Sequence, residues 1–123
     1  MTNDIRLVNQ QPDVTVVTIV FNDAGGIGRT IDSVTSQTPG SVEYIVIDGN
    51  SVDGTRQMIE DRRDQIDLYV SEPDRGIYDA MNKAIRLANG KFLLFMNSGD
   101  VFFETSSLAR LVDRARAANS SAV

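Results

Sequence analysis

The sequence contains no cysteine, no histidine and no tryptophan, and only three prolines. The absence of cysteine excludes disulfides. With histidine absent as well, zinc sites of the Cys/His type and Ser-His or Cys-His catalytic pairs are also excluded. Any acid–base chemistry must therefore come from carboxylates, lysine or tyrosine, and any bound metal should be a hard cation held by oxygen atoms.

Long apolar runs and basic clusters are also scarce. The longest clean apolar run, residues 92–96, is far too short to span a bilayer. Residues 1–13 are polar and carry no signal-peptide core, so we predict a flexible N-terminal segment there. The net charge is −5, from 12 basic and 17 acidic residues, so no nucleic-acid partner is expected.

The basic residues are scattered except for Arg110, Arg114 and Arg116 near the end of the chain. They are predicted to lie on the solvated face of a last helix, with a peripheral membrane contact as the alternative. The expected location is cytoplasmic, with peripheral attachment to the inner membrane as a variant of it.

Short β-branched runs alternate with amphipathic segments along the chain. Strands are predicted over residues 14–21, 42–47, 66–70 and 92–96, and a helical pattern follows each of them. This alternation predicts right-handed βαβ units in an α/β fold, a Rossmann-like parallel sheet with helices on both faces. The domain is expected to cover residues 14–114, followed by a fraying tail over 115–123.

Two segments carry more specific expectations. The third helix places Ile77, Met81, Ala84, Ile85 and Ala88 on one apolar face, and Asn89-Gly90 is predicted to cap it. The strand over 92–96 is apolar on both faces, which is typical of a central strand in a parallel sheet.

Polar residues follow every predicted strand: Asn22-Asp23, Asp48, residues 72–74 and residues 97–100. Ligands of open α/β sheets bind beyond the carboxyl ends of the strands. Turn formation alone would explain any one of these groups. Four acidic turns at one rim repel each other unless a cation lies among them, and a divalent cation bridging a diphosphate would meet that need.

Glycine-rich phosphate loops are missing. There is no G-x-x-x-x-G-K-[ST] motif, and the glycines at 25, 26 and 28 do not have G-x-G-x-x-G spacing. The pattern therefore favours a nucleotide-like ligand whose diphosphate is handled through a metal rather than by backbone N–H groups alone. The spacing leaves the substrate open.

Three stretches together resemble the family-2 glycosyltransferases. Residues 14–22 read VTVVTIVFN and are similar to the family's opening strand. Residues 43–55 read EYIVIDGNSVDGT, similar to its EIIVVDDGSTDGT segment, and residues 72–84 read EPDRGIYDAMNKA, similar to its GxxxARNxG helix. Within this family, the sequence pattern SEPDxGIYDAMNKAI…GxFxxFxNSGD most resembles colanic-acid-type and other exopolysaccharide glycosyltransferases.

The resemblance implies the N-terminal part of a nucleotide-diphospho-sugar transferase fold. It also implies an inverting glycosyltransferase that moves a sugar from a nucleotide-diphospho-sugar donor to an exopolysaccharide or related glycan or lipid-linked acceptor. A Mg or Mn ion is expected at Asn97 and Asp100, the latter matching the last acid of the family's DxDD motif. The substrate-binding residues it implies are Phe21, Asn22, Asp48, Asn50, Asp74, Asn82, Asn97, Ser98 and Asp100.

The sequence departs from the family pattern in three ways. Gly49 stands where a second aspartate is usual, so one expected uracil or ribose contact is missing. The DxDD motif reads Asn97-Ser98-Gly99-Asp100, in which Asn97 offers only a neutral oxygen. No acceptor-side segment follows Asp100, so the chain is expected to be the donor-binding half. No catalytic residue is assigned, because Glu104, Asp113 and Tyr78-Asp79 are better explained as surface or capping groups.

A second hypothesis is a non-catalytic module that has kept the fold and self-associates as a homo-oligomer through exposed apolar surface. A phospho-acceptor domain fits less well, because the last lysine, Lys91, lies at the start of a strand.

Overall fold

The computed structural model describes residues 11–38 and 40–121. The described chain alternates strands and helices as the sequence predicts. The strands are β1 (Val14–Val20), β2 (Val42–Asp48), β3 (Leu68–Ser71) and β4 (Phe92–Phe95). The helices are α1 (Ala24–Thr35), α2 (Thr55–Glu60), α3 (Ile77–Leu87) and α4 (Ser107–Ser121), with one 3-10 turn at Arg63–Gln65.

The four strands form one parallel sheet in the order β3-β2-β1-β4. β1 pairs with β2 from Val14↔Val42 to Val20↔Asp48, and with β4 from Val14↔Phe92 to Val17↔Phe95. The prediction of a parallel α/β sheet is confirmed. The prediction that β4 is a central strand is wrong for the described residues, since β4 lies at the edge of the sheet.

Helices cover both faces of the sheet. On one face α1, α2 and α4 bury Ile27, Ile31, Ile59 and Leu108 against β1 and β2. On the other face α3 packs against the middle strands through Ala80 and Ala84. The chain therefore buries two apolar layers around one sheet, as doubly covered parallel sheets require.

Helix α3 packs differently from the prediction. Ala80 and Ala84 are fully buried, whereas Ile77 and Ile85 are 48% and 55% exposed. The small alanine side chains let the helix approach the sheet closely, and this rotates the larger apolar residues away from it. The cap prediction at Asn89-Gly90 is also wrong. Gly90 has no positive φ, and a side chain there would collide with the backbone of β1.

Both ends of the predicted domain extend further than expected. Asp13 donates its backbone N–H to the carbonyl of Ser41 (2.9 Å) and accepts from Phe92 (3.1 Å), so it belongs to the fold. Residues 1–10 of the predicted flexible segment lie outside the described residues. At the other end α4 continues to Ser121, and Arg116 forms an ion pair with Asp13 (2.5 Å). Alanine-rich sequence favours this continuation past residue 114.

Among the described residues, none of the helices has the length and apolar character needed to cross a membrane.

Candidate functional site

A cavity of about 770 Å³ opens at the carboxyl ends of the strands. Its volume is in the range of ligand pockets. Its lining comes from the ends of all four strands: Ile19, Val20, Phe21, Asp23, Gly49, Asn50, Pro73, Asp74, Gly76, Ile77, Asn97 and Ser98. A second cavity of about 520 Å³ lies at the opposite end of the sheet, near Thr38, Tyr44, Gln65 and Asp67. The larger cavity is therefore the one placed where parallel α/β sheets bind ligands.

The loops after β1 and β2 are tied together beside this cavity. Three consecutive backbone amides donate to side chains of the β2–α2 loop: Asn22 to Ser51 Oγ (2.7 Å), Asp23 to Thr55 Oγ1 (2.9 Å) and Ala24 to Asp53 Oδ2 (3.1 Å). In return the amide of Val52 donates to Asn22 Oδ1 (2.9 Å). The hydrogen bond from the Thr55 hydroxyl is the main reason why the pKa of Asp53 is lowered. Because these amides are already bonded, the start of α1 does not offer them to a phosphate.

Asp48 is fully buried at the end of β2 and does not line the cavity. Its carboxylate accepts hydrogen bonds from the Ser51 hydroxyl and from the Ser51 amide (3.1 and 3.3 Å). It also accepts from the Ser71 hydroxyl on β3 (2.8 Å). A buried carboxylate needs such partners, and here they join β2 to β3 and to the following loop. The structure thus gives Asp48 a positioning role and leaves it outside the cavity, although the family resemblance implies that it binds substrate.

Asp74 fills the space that Gly49 leaves. A Cβ atom built on Gly49 would lie 2.9 Å from Asp74 Oδ2 and 3.3 Å from its Cγ. Both residues line the cavity, and Asp74 reaches it from the loop between β3 and α3. The sequence predicts a missing carboxylate at position 49, whereas the structure places a different carboxylate, that of Asp74, directly beside this position.

The other carboxylate of the cavity is Asp23, at the β1–β4 side. Its Oδ2 accepts a hydrogen bond from the Ser98 hydroxyl (2.7 Å). Asn97, the residue before Ser98, has a buried side-chain oxygen that has no hydrogen-bond partner among the described residues. Asp100 is exposed and outside the cavity lining, and its Oδ2 accepts from the amide of Asn97 (3.1 Å).

Metal-ligating residues are few in this arrangement. Within residues 11–38 and 40–121, no group of three or more His, Cys, Asp or Glu side chains is arranged to hold a metal ion. The unpartnered side-chain oxygen of Asn97 is a neutral oxygen group of the kind that hard cations bind. Magnesium commonly binds through one or two carboxylates and completes its shell with water and substrate phosphates.

The family follows from comparison with known proteins. The sequence profile of glycosyl transferase family 2 matches residues 15–123. The chain belongs to glycosyl transferase family 2. Within this family it is 42% identical over 103 residues to an uncharacterized glycosyltransferase of Mycobacterium tuberculosis, covering 83% of this chain and 39% of that protein. It is 32% identical over 112 residues to the succinoglycan biosynthesis protein ExoO of Rhizobium meliloti, covering 90% of this chain and 32% of that protein. The chain therefore spans well under half the length of these curated relatives.

Solved structures agree with the fold. A mannosyltransferase of Pyrobaculum calidifontis, in complex with GDP-Man and Mn2+, superposes with a TM-score of 0.75 at 27% identity, over 85% of this chain and 32% of that chain. TarS of Staphylococcus aureus, in complex with UDP-GlcNAc, gives 0.71 at 24% identity, over 84% and 30% of the two chains. The predicted nucleotide-diphospho-sugar transferase fold is confirmed by these neighbours.

The structure brings some of the site residues predicted for this family-2 chain together and leaves others apart. Those that line the cavity are Phe21, Asn50, Asp74, Asn97 and Ser98. Those that do not are Asn22, Asp48, Asn82 and Asp100. Asn22 uses its side chain to hold the neighbouring loop, and Asn82 is exposed on α3 outside the lining, so the prediction that it lines the cleft is wrong.

Seven cavity residues were not among the predicted site residues: Ile19, Val20, Asp23, Gly49, Pro73, Gly76 and Ile77. Asp23 and Gly49 matter most for the polar groups of the cavity. Asp23 follows β1 directly, and its place among the acidic strand ends was the available signal. Gly49 was identified only as a departure from the family pattern, yet its missing side chain is what admits Asp74.

Proposed function

We propose that this chain binds the donor of an inverting glycosyltransferase, which moves a sugar from a nucleotide-diphospho-sugar to an exopolysaccharide or related glycan or lipid-linked acceptor. The observation that carries the proposal is the cavity of about 770 Å³ at the carboxyl end of the sheet, formed by all four strand ends. The family membership of residues 15–123 supports sugar transfer as the chemistry.

The names of related proteins support the donor and the acceptor class. The mannosyltransferase of Pyrobaculum calidifontis is described with GDP-Man and Mn2+, and TarS with UDP-GlcNAc. The Rhizobium meliloti relative is named for succinoglycan biosynthesis, which is the basis for proposing an exopolysaccharide acceptor.

A divalent cation, Mg²⁺ or Mn²⁺, fits the β4 side of the cavity. The buried side-chain oxygen of Asn97 has no hydrogen-bond partner among the described residues and could bind this cation. Two carboxylates are hydrogen-bonded to the same loop: Asp100 accepts from the Asn97 amide, and Asp23 accepts from the Ser98 hydroxyl. When bound, the cation would offset the charge of the donor diphosphate and assist its departure. The chain's own contribution is to hold the Asn97-Ser98 loop in place through Asp23.

The proposed division of the cavity follows from its charges. At the β4 side, Asn97 and Ser98 provide neutral oxygen groups for the diphosphate and its cation. The exposed ring of Phe21, which follows β1, and the side chain of Ile77 at the start of α3 provide apolar surface for the base. No catalytic base is assigned among the described residues. An inverting reaction needs one on the face of the sugar opposite the leaving diphosphate.

A thermal-shift experiment tests the proposal. GDP, UDP and their sugars are added to the chain, in one series with MnCl2 and in a second with EDTA. A ligand at a hundred times its Kd stabilises the folded state by about 2.7 kcal/mol, which raises the Tm of a domain of this size by several degrees. We expect such a shift with at least one nucleotide, larger with Mn²⁺, and reduced in Asn97→Ala. If no nucleotide or sugar nucleotide raises the Tm, the proposal is wrong.

Self-association is a second candidate function, favoured by one observation. An apolar groove of about 170 Å³ runs between the edge strand β4 and α4. Exposed Leu93 and Leu111 and half-buried Leu94 line it. Light scattering across a concentration series tests this candidate. A dimer that Leu111→Glu dissociates would support it, and a monomer at all concentrations would exclude it.

A further inference from the structure

We propose that Asp74 selects the base of the donor nucleotide by accepting a hydrogen bond from a ring N–H of the base. The cavity would then take guanine and uracil nucleotides in preference to adenine and cytosine nucleotides. This inference rests on the proposed function, because it places a nucleoside diphosphate in the cavity at the carboxyl end of the sheet.

The first support is the position of the carboxylate. Asp74 Oδ1 accepts a hydrogen bond from the backbone amide of Gly76 (3.0 Å), and Gly76 has a φ of +108°, a conformation that side chains strongly disfavour. No described residue donates to Oδ2, which is the atom that a Cβ on Gly49 would meet first. One carboxylate oxygen is thus fixed by the loop, and the other is left as a free acceptor at the cavity wall.

The second support is that the Asp74 loop is braced by α3. Lys83 on α3 forms an ion pair with Glu72 (3.1 Å) and donates to the carbonyl of Pro73 (3.3 Å). Asp79, in the first turn of the same helix, accepts from the amide of Arg75 (2.9 Å). These contacts hold the residues on both sides of Asp74. The carboxylate is therefore placed before any ligand arrives, which is a requirement for selective recognition.

The third support is the location of Asp74 within the cavity. It borders Gly49 at the end of β2, whereas Asn97 and Ser98 lie at the end of β4, with β1 between them. A carboxylate in contact with a diphosphate would repel it, so Asp74 belongs to the uncharged end of the ligand. The exposed apolar groups of Phe21 and Ile77 line the same cavity and suit a planar ring.

The selectivity follows from the chemistry of a carboxylate. An ionised Asp only accepts hydrogen bonds. Guanine offers two adjacent N–H donors on its pairing edge and uracil offers one at the ring nitrogen. Adenine and cytosine present a ring-nitrogen lone pair there, which the carboxylate repels. Sites built to hydrogen-bond a donor group discriminate strongly against analogues that lack it.

Isothermal titration calorimetry with GDP, UDP, CDP and ADP, all with MnCl2, tests the inference on the intact chain. We expect GDP and UDP to bind at least about tenfold more tightly than CDP and ADP, GDP most tightly because of its two donors. Asp74→Asn should remove most of this preference, because an amide donates as well as accepts. Gly49→Ala should reduce it, because the added methyl group displaces the Asp74 carboxylate.

Asp64→Asn is the matched control, since it makes the same charge change at an exposed residue of the 3-10 turn, outside the cavity lining and outside the loop that carries Asp74. It should keep the wild-type preference. The inference is overturned if the four nucleotides bind the wild type equally, if Asp74→Asn retains the preference, or if Asp64→Asn loses it to the same degree. In those cases nucleotide binding itself, and with it the proposed function, still stands. If none of the four binds the wild type, the proposed function fails together with the inference.

Discussion

The two middle strands and the edge strand β4 contribute to the same cavity in different ways. In β2, the residues Ile45, Val46, Ile47 and Asp48 have no exposed surface, whereas Leu93 in β4 is 37% exposed. The loops after β1 and β2 hold each other through several side-chain-to-backbone bonds. The loop after β4 is held to β1 and α1 by hydrogen bonds from Ser98 to Asp23 and to the carbonyl of Ile19, and from the Gly99 amide to Thr30 Oγ1. One wall of the cavity is therefore built on largely buried strands, and the other on an edge strand whose loop is hydrogen-bonded to β1 and α1.

The largest expected effect concerns side chains in the strands behind the two walls, β2 and β4. Ile45→Ala should destabilise the fold by about 4 kcal/mol, because it leaves a cavity in a fully buried strand. Leu93→Ala should cost only about 1 kcal/mol, because that side chain is already partly in water. Urea unfolding of both variants measures the difference. Equal losses would show that β4 is as firmly packed as β2.

The second prediction concerns the polar part of the preformed wall. Asp48→Ala should cost about 3 kcal/mol, because the hydroxyl groups and amide that it accepts from are left unpaired in a buried site. Ser71→Ala removes a single one of these bonds and should cost about 1 kcal/mol. The same urea experiment measures both. A cost for Asp48→Ala as small as that of Ser71→Ala would contradict the positioning role of Asp48.

The third prediction tests the tie between the two walls. The hydrogen bond from Ser98 to Asp23 predicts a coupling energy of about 1 kcal/mol in a double-mutant cycle of Asp23→Ala and Ser98→Ala. Strictly additive effects on unfolding would show that this hydrogen bond does not contribute to the attachment of the two loops. In the control cycle, Thr35→Ala on the solvent side of α1 replaces Ser98→Ala, and it should show no coupling to Asp23→Ala.

The smallest expected effect depends on pH. Burial alone would raise the pKa of Glu43, but hydrogen bonds from the Asn89 side chain and backbone and from Thr15 outweigh it and lower the pKa. A lowered folded-state pKa means that this stabilisation is complete above the ordinary value of 4.5 and is lost as the pH falls through the folded-state value. These bonds attach the segment before β4 to β1 and β2.

Glu43→Gln should therefore destabilise the chain by up to about 1 kcal/mol at pH 7, and by less at pH 3. Urea midpoints at the two pH values measure this. A wild-type advantage that is equal or larger at pH 3 would contradict the assignment.

Much of the fold could be predicted because periodicity and strand-end residues are local signals. The four strands, the helices between them and the rim where polar groups gather all follow from such patterns. The edge position of β4 could not be predicted, because an apolar strand that is covered by other parts of a fold reads like a central one. The true packing face of α3 also escaped prediction, since it is the close fit of Ala80 and Ala84 that decides it.

The site was predicted in part for the same reason. Asn50, Asn97 and Ser98 come soon after strands, so their positions in the sequence are enough to place them at the cavity. The buried Asp48 carboxylate accepts a hydrogen bond from Ser71, a residue on another strand, and no local sequence pattern predicts that contact. The meeting of Asp74 with Gly49 depends on the path of the loop between β3 and α3, which only the folded chain reveals.

Chemical-shift mapping by NMR tests the central claim most directly. Amide spectra of the chain are recorded during titration with GDP or UDP in the presence of Mg²⁺. The largest changes are expected at Gly49, Gly76 and Ser98, around the cavity at the carboxyl ends of the strands. Changes concentrated at Thr38, Gln65 and Asp67, around the cavity at the opposite end of the sheet, or no changes at saturating nucleotide, would contradict it.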